Sequence, residues 1–322
     1  MKRIGFDVRA LDAVTALYCP KAIAAETRKM RYVIVGAGAL GGAIGAKLTE
    51  AGSIVALVAR GEHLEALRTT GLRLRTPEDP AGTTQRIPSF PTVSAVEPPI
   101  GADDVVILAV KVHQAPPVLS ELAATTAGNT PAIVCCTNGL DGERQALRHF
   151  DRVYAMLPCM FATHLTPGEV EMFGHRGEHT RPAWLDVGVY PQGVDALSDT
   201  IADDLTRAGF AADSKPDVME YKRGKMLMNL GNATVAMSDS QGEAGRAIMA
   251  AATAECIAAY TAAGLAFVPM KEVAAPWIQL IGGSPDAIKI EGATDYMGSS
   301  WQSLAKNSVR KAHTHTYRHA SG

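Results

Sequence analysis

The chain has no long apolar run. Stretches such as Val105–Val110 and Ala132–Cys136 are far too short to span a bilayer, so no membrane association is expected. A basic surplus is missing too. The 31 Lys and Arg stand against 33 Asp and Glu, a formal net charge of −2, which argues against a general nucleic-acid binder. The five cysteines are an odd number and show no CxxC spacing, so neither a disulfide framework nor a metal site is expected. Cys135–Cys136 sits in an apolar run and reads as strand packing, and the expected compartment is a reducing cytoplasm. The histidines form no pattern; His313, His315 and His319 suit adventitious metal binding rather than a built site. What the sequence does have is length and apolar content: 322 residues, 47% hydrophobic, enough for about two domains with cores.

Residues 1–29 carry neither alternation nor a clear amphipathic helix, and read as an extension outside the fold, with Met30 as the functional start. From Met30 the pattern changes. Tyr32–Val35, Ile54–Val58, Val105–Val110 and Ile133–Cys136 are apolar runs without polar alternation. They are interleaved with helical stretches at Ala39–Ala51, Glu62–Leu67 and about Pro117–Ala124, the pattern of a parallel sheet covered on both faces. Thr76–Pro99 holds six of the 18 prolines and suits loops with edge strands. Asp186–Tyr190 reads as a late strand and Asp195–Ala208 as a helix. Beyond Pro216 the texture becomes helical, over Asp217–Met237 and Glu243–Ala263, which sets a domain boundary there. Lys306–Gly322 has four Lys/Arg, three His and no acid, and reads as a basic tail.

Gly36-Ala37-Gly38-Ala39-Leu40-Gly41 directly follows a strand and opens a helix, the context in which GxGxxG signals a dinucleotide site. Gly36 allows the tight turn, Gly38 lets the backbone approach a pyrophosphate, and Gly41 permits close helix–strand packing. The helix N-terminus adds unpaired N–H groups for the phosphates. At the end of the second strand, where NAD sites usually carry an acid, stands Arg60. A guanidinium there suits a 2′-phosphate, so NADP(H) is expected over NAD(H). Lys111 and Asn138 follow two further strands, on the side where ligands of open α/β sheets bind.

Farther along, Lys222, Lys225, Asn229 and Asn232 are spaced 3, 4 and 3, which puts all four on one helix face. Met226, Leu227, Met228 and Leu230 lie between them and suit burial. Such a polar line is costly unless it faces a polar cleft, and a lysine there can be tuned by burial to act as a general acid. Ser299, within Gly298–Gln302, reads by itself only as a helix cap.

These motifs together resemble the ketopantoate reductase (2-dehydropantoate 2-reductase) family. The resemblance rests on the glycine turn at 36–42, Val-Ala-Arg-Gly at 58–61, Val-Lys-Val-His-Gln at 110–114 and Thr-Asn-Gly-Leu at 137–140. It continues in Lys-x-x-Lys-x-x-x-Asn at 222–229 and Ser-Ser-Trp-Gln at 299–302. It implies a Rossmann-type NADP-binding domain over 30–216 and an all-α substrate domain over 217–305, with the active site between them. It further implies NADPH-dependent reduction of a 2-keto acid, 2-dehydropantoate to pantoate, on the route to pantothenate and coenzyme A. In that frame Lys225 is the general acid, Lys111 and Asn138 lie beside the nicotinamide and substrate, and Asn229 and Ser299 hold the substrate. Asn232 falls seven residues after Lys225, where the family's second amide falls eight. The tail carries no counterpart of the family's substrate-binding glutamate, and reads as a divergent or out-of-frame ending on a shortened helical domain. Two alternatives remain open: a paralogue reducing a different 2-oxo acid, and a non-catalytic NADPH-binding remnant. Homologous folds can pair through the helical domain, so a homodimer is compatible with the resemblance.

Overall fold

The computed structural model describes residues 29–173, 183–232 and 243–280. Residues 1–28 of the expected extension, Ser299 and the basic tail lie outside the described residues. The chain alternates at first. Strand β1 (Arg31–Val35) leads into helix α1 (Ala39–Glu50), β2 (Ile54–Val58) into α2 (Gly61–Thr69), and β6 (Asp104–Leu108) into α3 (Ala115–Thr125). Between α2 and β6 lie the short strands β3 (Leu72–Arg75), β4 (Thr83–Gln85) and β5 (Ser89–Phe90), so the proline-rich segment does carry edge strands. After α3 come β7 (Ala132–Cys135), α4 (Gly142–Ala146), β8 (Val153–Thr163), β9 (Glu169–Phe173), β10 (Ala183–Val189) and α5 (Ala196–Arg207). Among the described residues beyond Pro216 there are only helices: α6 (Val218–Asn229), α7 (Glu243–Ala262) and α8 (Met270–Leu280).

The sheet runs β4-β3-β9-β8-β7-β6-β1-β2-β5, with β10 also paired to β8. From β5 through β8 every pairing is parallel. The expectation of a parallel sheet holds for this part and needs correction beyond it, where β9 and β10 pair with β8 antiparallel. The reason the parallel strands lack polar alternation is visible in the core. Tyr32 and Ile34 pack into one apolar cluster with α1 and α5, while Val33 and Val35 pack into another with α3. Both faces are dry, so the strand interiors are apolar, and the charged Arg31 and Asp104 pair with each other at the starts of β1 and β6. Cys135 and Cys136 are buried one on each side, as strand packing requires.

Chain order reverses between β1 and β6: β2 lies on one side of β1, and β6, β7 and β8 follow on the other. A crevice at the carboxyl ends of the strands opens at such a switch point. Helix α6 packs against the sheet beside it, through Val218, Met219 and Tyr221 on Ala155, Leu157 and Cys159 of β8. It runs to Asn229, residues 231–232 are helical again, and the rest of the expected helical stretch to Met237 lies outside the described residues.

Candidate active site

A cleft of about 250 Å³ opens at the switch point, lined by Gly36, Ala37 and Gly38 from the β1 turn and by Arg60 and His63 beyond β2. The three glycines of the turn sit in different surroundings. Gly36 sits at φ +100°, where a side chain is strained, and its N–H donates to Val58 O at 3.0 Å. A Cβ on Gly41 would lie 2.1 Å from Gly36 O and 2.9 Å from Ile34 Cγ2, so α1 approaches the strand only because no side chain intervenes. A Cβ on Gly38 would meet nothing within 4 Å. That open volume at the start of α1, beside N–H groups without intrahelical partners, is the space a phosphate needs. Ala39 and Leu40 open the helix, and no acidic side chain occupies its first turn. Arg60 is exposed where it lines the cleft, and precedes α2 as its N-cap residue. The residues present therefore fit a dinucleotide.

Lys111 follows the β6 run as an exposed N-cap of the short 3₁₀ turn Val112–Gln114, and Asn138 lies in the loop after β7. Neither is among the residues lining the glycine cleft. Asn138 instead meets α6. Lys225 Nζ donates to Asn138 Oδ1 at 2.7 Å and also to the carbonyl of Pro158. Lys225 is only 7% exposed, and burial holds its ammonium below the usual lysine range, with Lys222 adding to the depression.

Pro158 owes its role to strand geometry. Leu185 of β10 pairs with Pro158, yet donates its own N–H to Ala211 O on its other side. The pair is therefore of the non-hydrogen-bonded kind, and Pro158 turns its carbonyl away from β10. On that edge β7 has ended, its last pair being Cys135 with Ala155, and β9 begins only opposite Phe161. Lys225 fills the gap.

Lys222, one turn earlier on α6, is engaged differently. Its ammonium donates to a Glu143 carboxylate oxygen and, at 3.3 Å, to Cys135 O. The 3-4-3 line thus splits. Lys222 and Lys225 are buried against the sheet, Asn229 is half-buried, and Asn232 is exposed.

Sequence reading missed Glu143, the Pro158 carbonyl and a histidine pair. The His63 and His164 rings meet at a tilt of 50° with centroids 4.1 Å apart beside the glycine turn, which corrects the view that the histidines form no pattern. His63 falls three residues after Arg60, on the first turn of α2; that spacing was the available signal.

A doubly wound sheet with a glycine-rich turn at its switch point defines a dinucleotide-binding α/β protein. Residues 32–186 match the family model described as ketopantoate reductase PanE/ApbA. Curated relatives agree. A 2-dehydropantoate 2-reductase of Mesorhizobium japonicum is 41% identical over 112 residues, 34% of this chain and 32% of that protein. One from Pyrococcus horikoshii is 26% identical over 200 residues, 62% of this chain and 61% of that protein. The matched part thus spans less than two thirds of either relative. Among solved structures, a D-mandelate dehydrogenase with NADH and anilino(oxo)acetate shares the fold at TM-score 0.68 and 21% identity, covering 86% of each chain. Among the described residues no helix is long and apolar enough to cross a membrane.

Proposed function

We propose that the protein reduces a 2-keto acid with NADPH, the preferred substrate being 2-dehydropantoate, which yields pantoate for pantothenate and coenzyme A. The observation that carries this reading is the buried Lys225 ammonium, held by Asn138 and the Pro158 carbonyl. The Gly36–Gly41 turn and the start of α1 hold the dinucleotide phosphates, and Arg60 meets the 2′-phosphate. When bound, the dinucleotide supplies the hydride. Lys225 gives its proton to the carbonyl oxygen on which negative charge builds, and a depressed pKa suits that task near neutral pH. Asn138 orients the ammonium, while Lys111, Asn229, Asn232 and Ser299 bind substrate. Residues 30–216 form the cofactor domain and 217–305 the helical substrate domain, working in the cytoplasm.

The test is NADPH oxidation across a panel of 2-keto acids. Preference for 2-dehydropantoate supports the specific reading. A Lys225→Ala variant is expected to bind NADPH and lose ~10²–10⁴-fold in turnover. Unchanged turnover would overturn Lys225 as the acid. A second reading, reduction of another 2-oxo acid, is favoured by the fold shared with D-mandelate dehydrogenase. The same panel separates the two.

A further inference from the structure

His63 spans two parts of the molecule that are far apart in sequence. Its Nε2–H donates to Ala37 O at 2.7 Å, and its Nδ1 accepts from Gly168 N–H at 2.9 Å. Both ring nitrogens are thus used, one as donor and one as acceptor, which fixes the neutral tautomer. Gly168 is itself anchored, since its carbonyl accepts from Arg73 N–H of β3 at 2.8 Å. His164 packs against the ring at a tilt and is held by Nδ1–H donation to Glu169 O at 2.9 Å. Burial and the neighbouring His164 push His63 down to about 4, so the neutral form persists at physiological pH.

The bond to Ala37 matters because of what lies on the other side of that peptide. In a trans peptide the carbonyl and the following N–H point in opposite directions. With the Ala37 carbonyl turned to His63, the Gly38 N–H points away from the imidazole. It has no acceptor among the described residues, and Gly38 borders the cleft with open space where a Cβ would be. His63 also lies on the same helical turn as Arg60, so a bond from His63 to the glycine turn fixes α2 and its preceding arginine relative to α1.

We infer that His63 is a positioning residue of the dinucleotide site, holding the Ala37–Gly38 peptide so that its N–H faces a phosphate and tying that turn to the segment carrying Arg60. The inference rests on reading the glycine turn as a dinucleotide site. It separates His63 from Arg60: loss of His63 weakens both NADPH and NADH, whereas loss of Arg60 weakens NADPH alone.

The experiment titrates NADPH and NADH separately into the full-length protein, following nicotinamide fluorescence, for wild type, His63→Phe, His63→Gln and Arg60→Ala. His63→Phe keeps a ring of similar size without the two hydrogen bonds, and is expected to weaken both dinucleotides about tenfold. His63→Gln retains a donor and an acceptor and is expected to recover most of that loss. Wild-type affinity for both dinucleotides in His63→Phe overturns the inference while leaving the site intact. Failure of the wild type to bind either dinucleotide overturns the underlying reading instead. If His63→Phe does not fold, nitrogen NMR of the wild type decides: a neutral Nε2–H tautomer at pH 7 supports the bridge, and an Nδ1–H tautomer or an imidazolium overturns it.

Discussion

Lys222 and Glu143, 79 positions apart, form an ion pair in which 2% of one side chain and none of the other is exposed. Two desolvated charges are costly, and each is tolerable only while the other remains. The pair joins α6 to α4 directly behind the loop that carries Asn138. Removing one partner, in Glu143→Ala or Lys222→Ala, is expected to destabilise by about 3–5 kcal/mol. The double variant Lys222→Met/Glu143→Leu should cost less than either single change. Urea denaturation of the three variants checks this, and additive losses would contradict it.

Asn138 gives a different expectation, read in the pH profile. As the proposed general acid Lys225 would work only while protonated, so the rate should fall as pH rises through its pKa, which lies below the ordinary lysine value of 10.5. Asn138 Oδ1 stabilises the ammonium, and Asn138→Ala removes that acceptor. The alkaline limb of kcat/KM should then move to lower pH, and Asn138→Asp should move it to higher pH. A limb that stays fixed in both variants separates Asn138 from the proton donor.

Two glycines only three residues apart should fail in opposite ways. Gly41→Ala forces a Cβ onto the Gly36 carbonyl, so the folded state suffers and Tm should fall by several degrees. Gly38→Ala meets no protein atom within 4 Å, so Tm should stay near wild type while dinucleotide affinity drops. Thermal melts and fluorescence titration of the same two samples test the division.

Stability itself should respond to acid through His63. Its folded value of about 4 lies below the ordinary 6.5, so between these limits the unfolded chain binds a proton that the folded protein refuses. The contribution is complete above 6.5, falls as pH drops towards 4, and is flat below. His63→Gln should show a shallower decline over that window in urea midpoints. An identical slope in wild type and variant would refute the assignment.

The glycine turn, the parallel strands and the helix carrying Lys225 were legible in the sequence because each declares itself within a dozen residues. Strand β8 was not. Val153–Thr163 mixes Met, Cys and a proline and is buried almost throughout, so neither alternation nor β-branched content announces a strand. Pro158 argues against a strand by ordinary rules, and is tolerated because its missing N–H faces the gap rather than a ladder. Glu143 and His63 were illegible for another reason. Their partners, Lys222 and Gly168, lie 79 and 105 positions away, and only the folded sheet brings them together.

That gap along β8 has a further consequence. An uncovered strand edge is an invitation to pair with another chain, and proteins blunt such edges with proline and with inward-pointing lysine. Here Pro158 removes the donor at the centre of the gap and Lys225 occupies its acceptor. The residues that arm the proposed reaction thus also deny the edge to a stray strand. A variant that silences Lys225 leaves the buried Pro158 carbonyl without this donor.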